Sequence, residues 1–276
     1  MEVNDSRTIY KLVNARHGQF LVNPLDTYIG KAIDVYGEYG EIEWLLLEQV
    51  LLNGKDAVEV GANIGTHTVA IANKLAKMGR RLLAIEPQPV VFQNMCANVA
   101  LNGLLNVLTE NCACSGKSGK LTFQAPDYRH ENNSGGVSMS DEGEGNQTIR
   151  AIPLDDLIPP DFDVGLIKID VEGFEQKVLE GATKTLARFR PTIYVENDRL
   201  EMSKGLIECL WGIEYNLWWH TPTLFNPNNF FGVSEDIYSN LASFNMLAFP
   251  KEISIETNGL IPVEDAGAHP LKTAEQ

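Results

Sequence analysis

"DAVEVGANIGTHT", residues 56–68, carries an apolar run straight into a turn that holds Gly61, Asn63 and Gly65, with a carboxylate, Glu59, just ahead of it. "DAVEV" (56–60) reads as a buried strand. From Thr66 to about Met78 apolar residues recur at Val69, Ala72, Leu75 and Ala76, the spacing of a helix face. A plain strand-to-helix turn needs one glycine at most and no acid before it. Here Gly61 lets the chain turn and a ligand approach the backbone, while Gly65 allows the helix to pack closely on the strand. The dinucleotide fingerprint G-x-G-x-x-G is broken, because Asn63 and Thr66 stand where its second and third glycines belong. A pyrophosphate would be repelled by the Glu59 carboxylate, whereas an amine or a sulfonium would be held by it.

The pattern repeats outward from this turn. "RRLLAIE" (80–86) is a second strand ending on Glu86, followed after Pro87 by a helix with Val91, Met95, Val99 and Ala100 on one side. "NVLTENCAC" (106–114), "DVGLIKID" (163–170) and "PTIYVEN" (191–197) read as the third, fourth and fifth strands. Helices are expected over 172–189 and around 200–212. "YNLWW" and "FNMLAF" close the series. Strands separated by crossover helices give an α/β, doubly wound, Rossmann-like sheet with right-handed connections. Ligands of such sheets sit outside the carboxyl ends of the strands. A carboxylate at Glu86 can accept both hydroxyls of a ribose there, and two acids at successive strand ends favour a cofactor over simple helix capping.

Three segments interrupt the rhythm. Residues 1–40 read as an N-terminal extension of short strands and a turn, ahead of a helix over 41–53. Residues 115–150 read as a hairpin insert with a mobile tip, because "KLTF" and "TIRAI" flank a Gly-, Ser- and Asn-rich stretch. Residues 220–243 are aromatic and rich in Asn and Pro, and read as a lid insert between the last two strands. The main domain is expected over 41–252, with an acidic, loosely held tail over 253–276.

Composition narrows the function. Among 276 residues, 37 acidic side chains face 22 basic ones, a net charge of −15 that disfavours a nucleic-acid partner and suits a neutral or cationic small molecule. "WLLLEQVLL" (44–52) is interrupted by Glu48 and Gln49 and is too short to span a bilayer. The opening "MEVNDSRTIY" has no basic and apolar leader pattern, so a cytoplasmic location is expected. Cys112 and Cys114 share a strand face and read as core thiols; no metal site is expected.

"VEVGANIGTHT", "AIEPQPVVFQNMCANVALNG", "LIKIDVEGFEQKVLEGA" and "RPTIYVEN" resemble, in this order, the conserved blocks of the FkbM-type S-adenosylmethionine-dependent methyltransferases. The resemblance runs from about residue 36 to 250, and the K-I-D-V-E-G-x-E block is its most specific part. Glu59 departs from the family, where Asp is commoner. The resemblance implies a seven-stranded sheet whose last strand is antiparallel, with "YNLWWH" and "FNMLAFP" as its sixth and seventh strands. It implies that Glu59, Gly61, Asn63 and Gly65 line the methionine end of the cofactor and that Glu86 holds the ribose. Asn111 is placed beside the adenine, and Asp170 and Glu172 beside the reactive sulfur.

The activity implied is methyl transfer from S-adenosylmethionine to a hydroxyl oxygen of a small molecule or glycan. Catalytic candidates are Asp170, Glu172, Glu196 and His220. Asp170 either steers the acceptor hydroxyl, binds the cofactor amine or caps the following helix. Glu196 is either a site residue or a structural strand end. His220, Asn229 and Phe230 are assigned to the acceptor, since the lid mixes flat apolar faces with amide donors. "YGEY" (36–39) either covers the cofactor or serves packing, His67 reads as a neighbour of the helix cap, and Glu175 and Glu180 as solvated helix face. The rival readings are a cofactor-binding module without catalysis and a nicotinamide-dependent oxidoreductase. The broken glycine fingerprint counts against the second, and Asp170, Glu172 and Glu196 together count against the first. Nothing in the residues chooses the acceptor or the oligomeric state.

Overall fold

The computed structural model describes residues 9–141, 143, 145–256 and 259–274. The chain opens on a hairpin of β1 (Lys11–Ala15) and β2 (Gly18–Val22), then α1 (Ile29–Tyr36), α2 (Glu41–Val50) and a 3-10 turn over Leu51–Asn53. The sequence led to a turn where α1 stands. Its buried Ile29, Ala32, Ile33 and Tyr36 lie on one helical face, and Asp26, just ahead of it, accepts a hydrogen bond from the Gly30 amide of its first turn.

The central sheet begins with β3 (Asp56–Val60), α3 (Thr66–Ala76), β4 (Leu82–Ile85), α4 (Pro89–Leu101) and β5 (Val107–Glu110). A small second sheet follows, made of β6 (Ala113–Cys114), β7 (Gly119–Phe123) and β8 (Gln147–Ile152). The chain then returns through α5 (Leu154–Leu157), β9 (Val164–Ile169), α6 (Glu175–Glu180), α7 (Thr183–Phe189), β10 (Thr192–Glu196) and α8 (Leu200–Gly212). It ends with β11 (Tyr215–His220), β12 (Asn245–Pro250), β13 (Ile261–Pro262) and α9 (Pro270–Ala274). In space the large sheet runs β5-β4-β3-β9-β10-β12-β11-β13. Strands β3, β4, β5, β9 and β10 are parallel, and β12 runs antiparallel to both of its neighbours. The fold is therefore the doubly wound, Rossmann-like sheet with its last long strand reversed. An eighth strand, the two-residue β13, extends the expected seven by pairing with β11.

Three further expectations are corrected. The run 106–114 is not one strand: β5 stops at Glu110, and β6 leaves to pair with β8. Cys112 and Cys114 still face the main core while Ala113 faces the small sheet, so the chain stays extended but changes partner. The helix expected over 172–189 is broken at Gly181, where a Cβ would sit 2.3 Å from the Ser115 carbonyl oxygen. The tail is not loose along its described length. Val263 is buried, and His269 is wedged against Trp219 and Phe244 with Nε2 bonded to the Asn197 carbonyl at 2.7 Å.

The parallel strands are buried on both faces, and alternation sorts their side chains into two cores. Val58, Val60, Leu83, Ile85, Ile167, Ile169, Ile193 and Val195 point to one side. Ala57, Leu82, Ala84, Leu166, Tyr194 and Leu247 point to the other, under α1, α2, α3 and the N-terminal hairpin. By the same alternation Glu59, Lys168, Glu196 and Asn245 fall on this second face. Cross-strand register sets Glu59 against Lys168, Lys168 against Tyr194, and Glu196 against Asn245. A polar row thus crosses an otherwise apolar sheet. Among the described residues no helix is long and apolar enough to cross a membrane.

Candidate active site at the carboxyl ends of the strands

A cavity of about 470 Å³ opens where β3, β4, β9 and β10 end. The turn after β3 forms its floor. Gly61 has φ +87°, and a Cβ on it would stand 1.8 Å from the Asp170 carbonyl oxygen, so only glycine fits there. Asn63 takes φ +48°, and its Oδ1 accepts a hydrogen bond from the Ile64 amide at 2.7 Å. Glu86 clamps this turn from the next strand end. Its Oε2 accepts the Asn63 amide at 2.9 Å and its Oε1 the Gln88 amide at 2.8 Å. Burial nonetheless raises its pKa to about 7.

Beside the turn lies a buried charge network. Glu59 is buried, accepts the Thr68 hydroxyl at 2.6 Å, and is pushed up to about 7 by burial. Glu43, from α2, is likewise raised to about 7 by burial, with Lys168 pulling the other way. Burial pulls the Lys168 pKa down, but Asp170, Glu59 and Glu43 outweigh it and hold the ammonium protonated. Its Nζ donates to Asp170 Oδ2 at 3.0 Å. His67 faces the Gly40 carbonyl through Nε2 at 3.1 Å, and burial lowers its pKa to about 3, so it is neutral at ordinary pH.

The opposite wall is acidic. Glu172 (φ +55°) pairs with Arg199, yet burial raises its pKa to about 7. Burial, then the neighbouring Asp170, Glu172 and Asp198, push Glu196 well above the usual carboxylate range. Its buried Oε2 has no hydrogen-bond partner. Glu172, Glu196 and Asp198 each bring one carboxylate oxygen within 4.8 Å of the others, and Arg199 supplies a cation to the same cluster. Two segments roof the cavity. Residues 133–139 return from the β7–β8 hairpin, held by Gln88 Nε2 on the Ser134 carbonyl and by the Ser138 hydroxyl on the Glu172 carbonyl. The stem of the lid contributes Leu224, Leu241, Ala242 and Ser243.

Of the residues singled out in the sequence, Glu59, Gly61, Asn63, Glu86, Asp170, Glu172 and Glu196 line this cavity together. Gly65 sits behind it as the cap of α3, at φ +88°. Asn111 does not reach the cavity, and its Nδ2 braces the Glu86 and Pro87 carbonyls at 2.8 and 3.1 Å. The acceptor trio also lies outside. His220 Nδ1 is bonded to the Tyr194 hydroxyl at 2.8 Å, and burial pushes the ring down to about 4. Asn229 spends its amide on the Asn226 and Val233 backbone, closing its own turn. Phe230 is about half exposed, with Arg16 above its ring. Tyr36 and Glu38 pin the lid, through bonds to Glu235, Ile237, Asn226 and Phe230, while Tyr39 lines the cavity. Glu175 is buried rather than solvated, accepting the Gly173 amide. Lys168, Glu43, Arg199 and Asn245 were missed. A lysine inside "GLIKI" was the one readable sign among them.

The chain is 32% identical over 157 residues to the hexuronic acid methyltransferase AglP of Haloferax volcanii, a match spanning 55% of this chain and 59% of that protein. It thus covers less than two thirds of that relative. Among solved structures, the methyltransferase FkbM from Methylobacillus flagellatus KT is similar at 15% identity and a TM-score of 0.42, over 70% of this chain and 43% of that one. The O-methyltransferase TomG from Streptomyces achromogenes is similar at 15% identity and a TM-score of 0.44, over 76% and 79% of the two chains. The methyltransferase FkbM domain matches residues 59–210, more than half of the chain, and to that family the chain belongs.

Proposed function

We propose that this chain transfers a methyl group from S-adenosylmethionine to a hydroxyl oxygen of a glycan, a hexuronate-bearing glycan first among them. The observation that carries the reading is the Gly61 turn pressed against Asp170 and walled by Glu59 and Glu86. A phosphate-binding turn needs free amides and no acids. This turn offers carboxylates instead, which suit a ligand with hydroxyls and positive charge. The donor set therefore fits S-adenosylmethionine, and the named relative acts on hexuronic acid.

When bound, the cofactor supplies a methyl group on a positively charged sulfur. The chain does the rest by position and field. Each Glu86 oxygen takes one amide and keeps a lone pair for a ribose hydroxyl. Lys168 bonds Asp170 at the cavity wall and its charge favours the ionised forms of Glu43 and Glu59. Burial and the neighbouring Asp170, Glu172 and Asp198 favour the protonated form of Glu196. A cation nearby favours its ionised form, in which the carboxylate can take the proton of an acceptor hydroxyl.

The test is an incubation with methyl-labelled cofactor and a panel of neutral and uronate glycans, read by mass spectrometry for the gain of one methylene. Transfer to a hydroxyl of a uronate glycan is expected. Cofactor binding with no product across the panel would leave only a binding module, and no cofactor binding would sink the reading outright.

A further inference from the structure

Among the described residues the basic side chains that line the cavity are Lys168, His67 and Arg199, against a larger number of acids. Two of the three have nothing to offer an anion. Lys168 is buried with its Nζ bonded to Asp170, and His67 is buried, neutral and turned to the Gly40 carbonyl. Arg199 differs, because its side chain is 38% exposed.

Its backbone is fixed, since Arg199 opens α8 and its carbonyl accepts the Met202 and Ser203 amides. Its guanidinium is not used up. Nη2 donates to Glu172 Oε2 and, at 3.5 Å, to the Ser138 hydroxyl. Nε is enclosed, lies 3.5 Å from Asp198 Oδ1 and completes no hydrogen bond. Nη1 makes no hydrogen bond to any described residue, and unlike Nε it is not enclosed. A guanidinium carries five N–H donors in a planar fork that matches a carboxylate. Glu172 engages only one of its nitrogens.

The acids of this cavity suit a cationic cofactor, but by themselves they would repel an acceptor that carries a carboxylate. Arg199 is the group that can reverse this. Its neighbours do not cancel it: burial raises Glu172 to about 7 and Glu196 well above the usual carboxylate range, and Asp170 is taken by Lys168. A neutral sugar needs no such cation, because its hydroxyls are met by carboxylates as readily.

We infer that Arg199 binds the carboxylate of a uronate acceptor through its free Nη1, and so selects uronates over the matching neutral sugars. This rests on the methyl-transfer reading and names the group of the acceptor that the chain reads. Glu172 is then the internal competitor for the same guanidinium, and removing its charge favours the acceptor's carboxylate.

Methyl β-D-glucuronide and methyl β-D-glucoside differ only in a carboxylate against a hydroxymethyl group. Each is titrated by calorimetry into the full chain saturated with S-adenosylhomocysteine. Wild type is expected to favour the glucuronide about tenfold or more. Arg199→Gln keeps a polar side chain without the charge, and should erase that preference. Arg199→Gln combined with Glu172→Gln leaves neither half of the ion pair behind, and gives the same reading should the single variant fail to fold. Glu172→Gln alone should strengthen glucuronide binding relative to the glucoside. Equal affinity for the two sugars in wild type, binding of neither, or a preference that survives loss of Arg199 overturns the inference. So does a loss shared equally by both sugars, which would make Arg199 a structural counter-ion only. Failure of S-adenosylhomocysteine to bind wild type is read separately, and counts against the methyl-transfer reading.

Discussion

Replacing Glu86 with Gln tests the cofactor seat with almost no change in shape. In the wild type each carboxylate oxygen accepts one backbone amide, from Asn63 at 2.9 Å and from Gln88 at 2.8 Å. A glutamine has one oxygen, so its NH₂ must face one of those two amides. One backbone bond is lost and one buried donor is left opposing another, which costs about 1–3 kcal/mol. A ribose hydroxyl at that position also loses a charge-assisted acceptor, the stronger kind of hydrogen bond. The part that falls on cofactor binding is on the order of 2 kcal/mol, some thirtyfold in Kd. Calorimetry with S-adenosylmethionine measures that part, and thermal unfolding of the free variant measures the part borne by the turn. Unchanged Kd with a lowered unfolding temperature would mean that Glu86 only holds the turn. If both were unchanged, the clamp itself would be misread.

Cofactor affinity should rise between pH 6 and pH 8. Glu43, Glu59 and Glu86 have folded-state pKa values of about 7 against an ordinary 4.5, so the folded chain binds more protons than the unfolded one across that window. Stability of the free protein therefore falls as pH rises from 4.5 through 7, and a cationic ligand offsets that loss once the carboxylates ionise. A thermal shift with S-adenosylmethionine that is the same at both pH values would contradict this. Gly61→Ala drives a Cβ into the Asp170 carbonyl and should abolish cofactor binding, or folding as seen by circular dichroism; a variant with wild-type affinity would refute the close approach. Lys168→Met leaves Glu43, Glu59 and Asp170 without their buried cation and should cost about 3–5 kcal/mol at pH 8, and less at pH 5.5, where Glu43 and Glu59 are protonated. Equal losses in chemical denaturation at the two pH values would show that Lys168 is not what balances them.

The strands that hold the site were readable because β3, β4, β9 and β10 are buried on both faces and so appear as short, largely apolar runs, interrupted inside only by Glu59 and Lys168. The partner switch after Glu110 was not, since an extended chain shows the same residues whichever sheet it joins. Helix α1 was hidden by its company: Pro24, Gly18 and Gly30 signal turns, and only the spacing of Ile29, Ala32, Ile33 and Tyr36 betrays a helix. Carboxylates at strand ends could be found from position alone. Asn245 could not, because strand pairing with Glu196 is what brings it to the cavity, a long-range feature that no local pattern records. The placement of the lid aromatics was hidden for a related reason. Phe230 and Phe231 are flat and apolar, but they pack beside Gly37 and Arg16 rather than turning into the cavity.

A crystal structure of the chain with S-adenosylhomocysteine tests the central claim most directly. The account predicts ribose oxygens within about 3 Å of the Glu86 carboxylate, the backbone of Gly61 in contact with the ligand, and the sulfur on the side of Asp170 and Glu196. A ligand bound elsewhere, or bound in this cavity with its ribose away from Glu86, would contradict it.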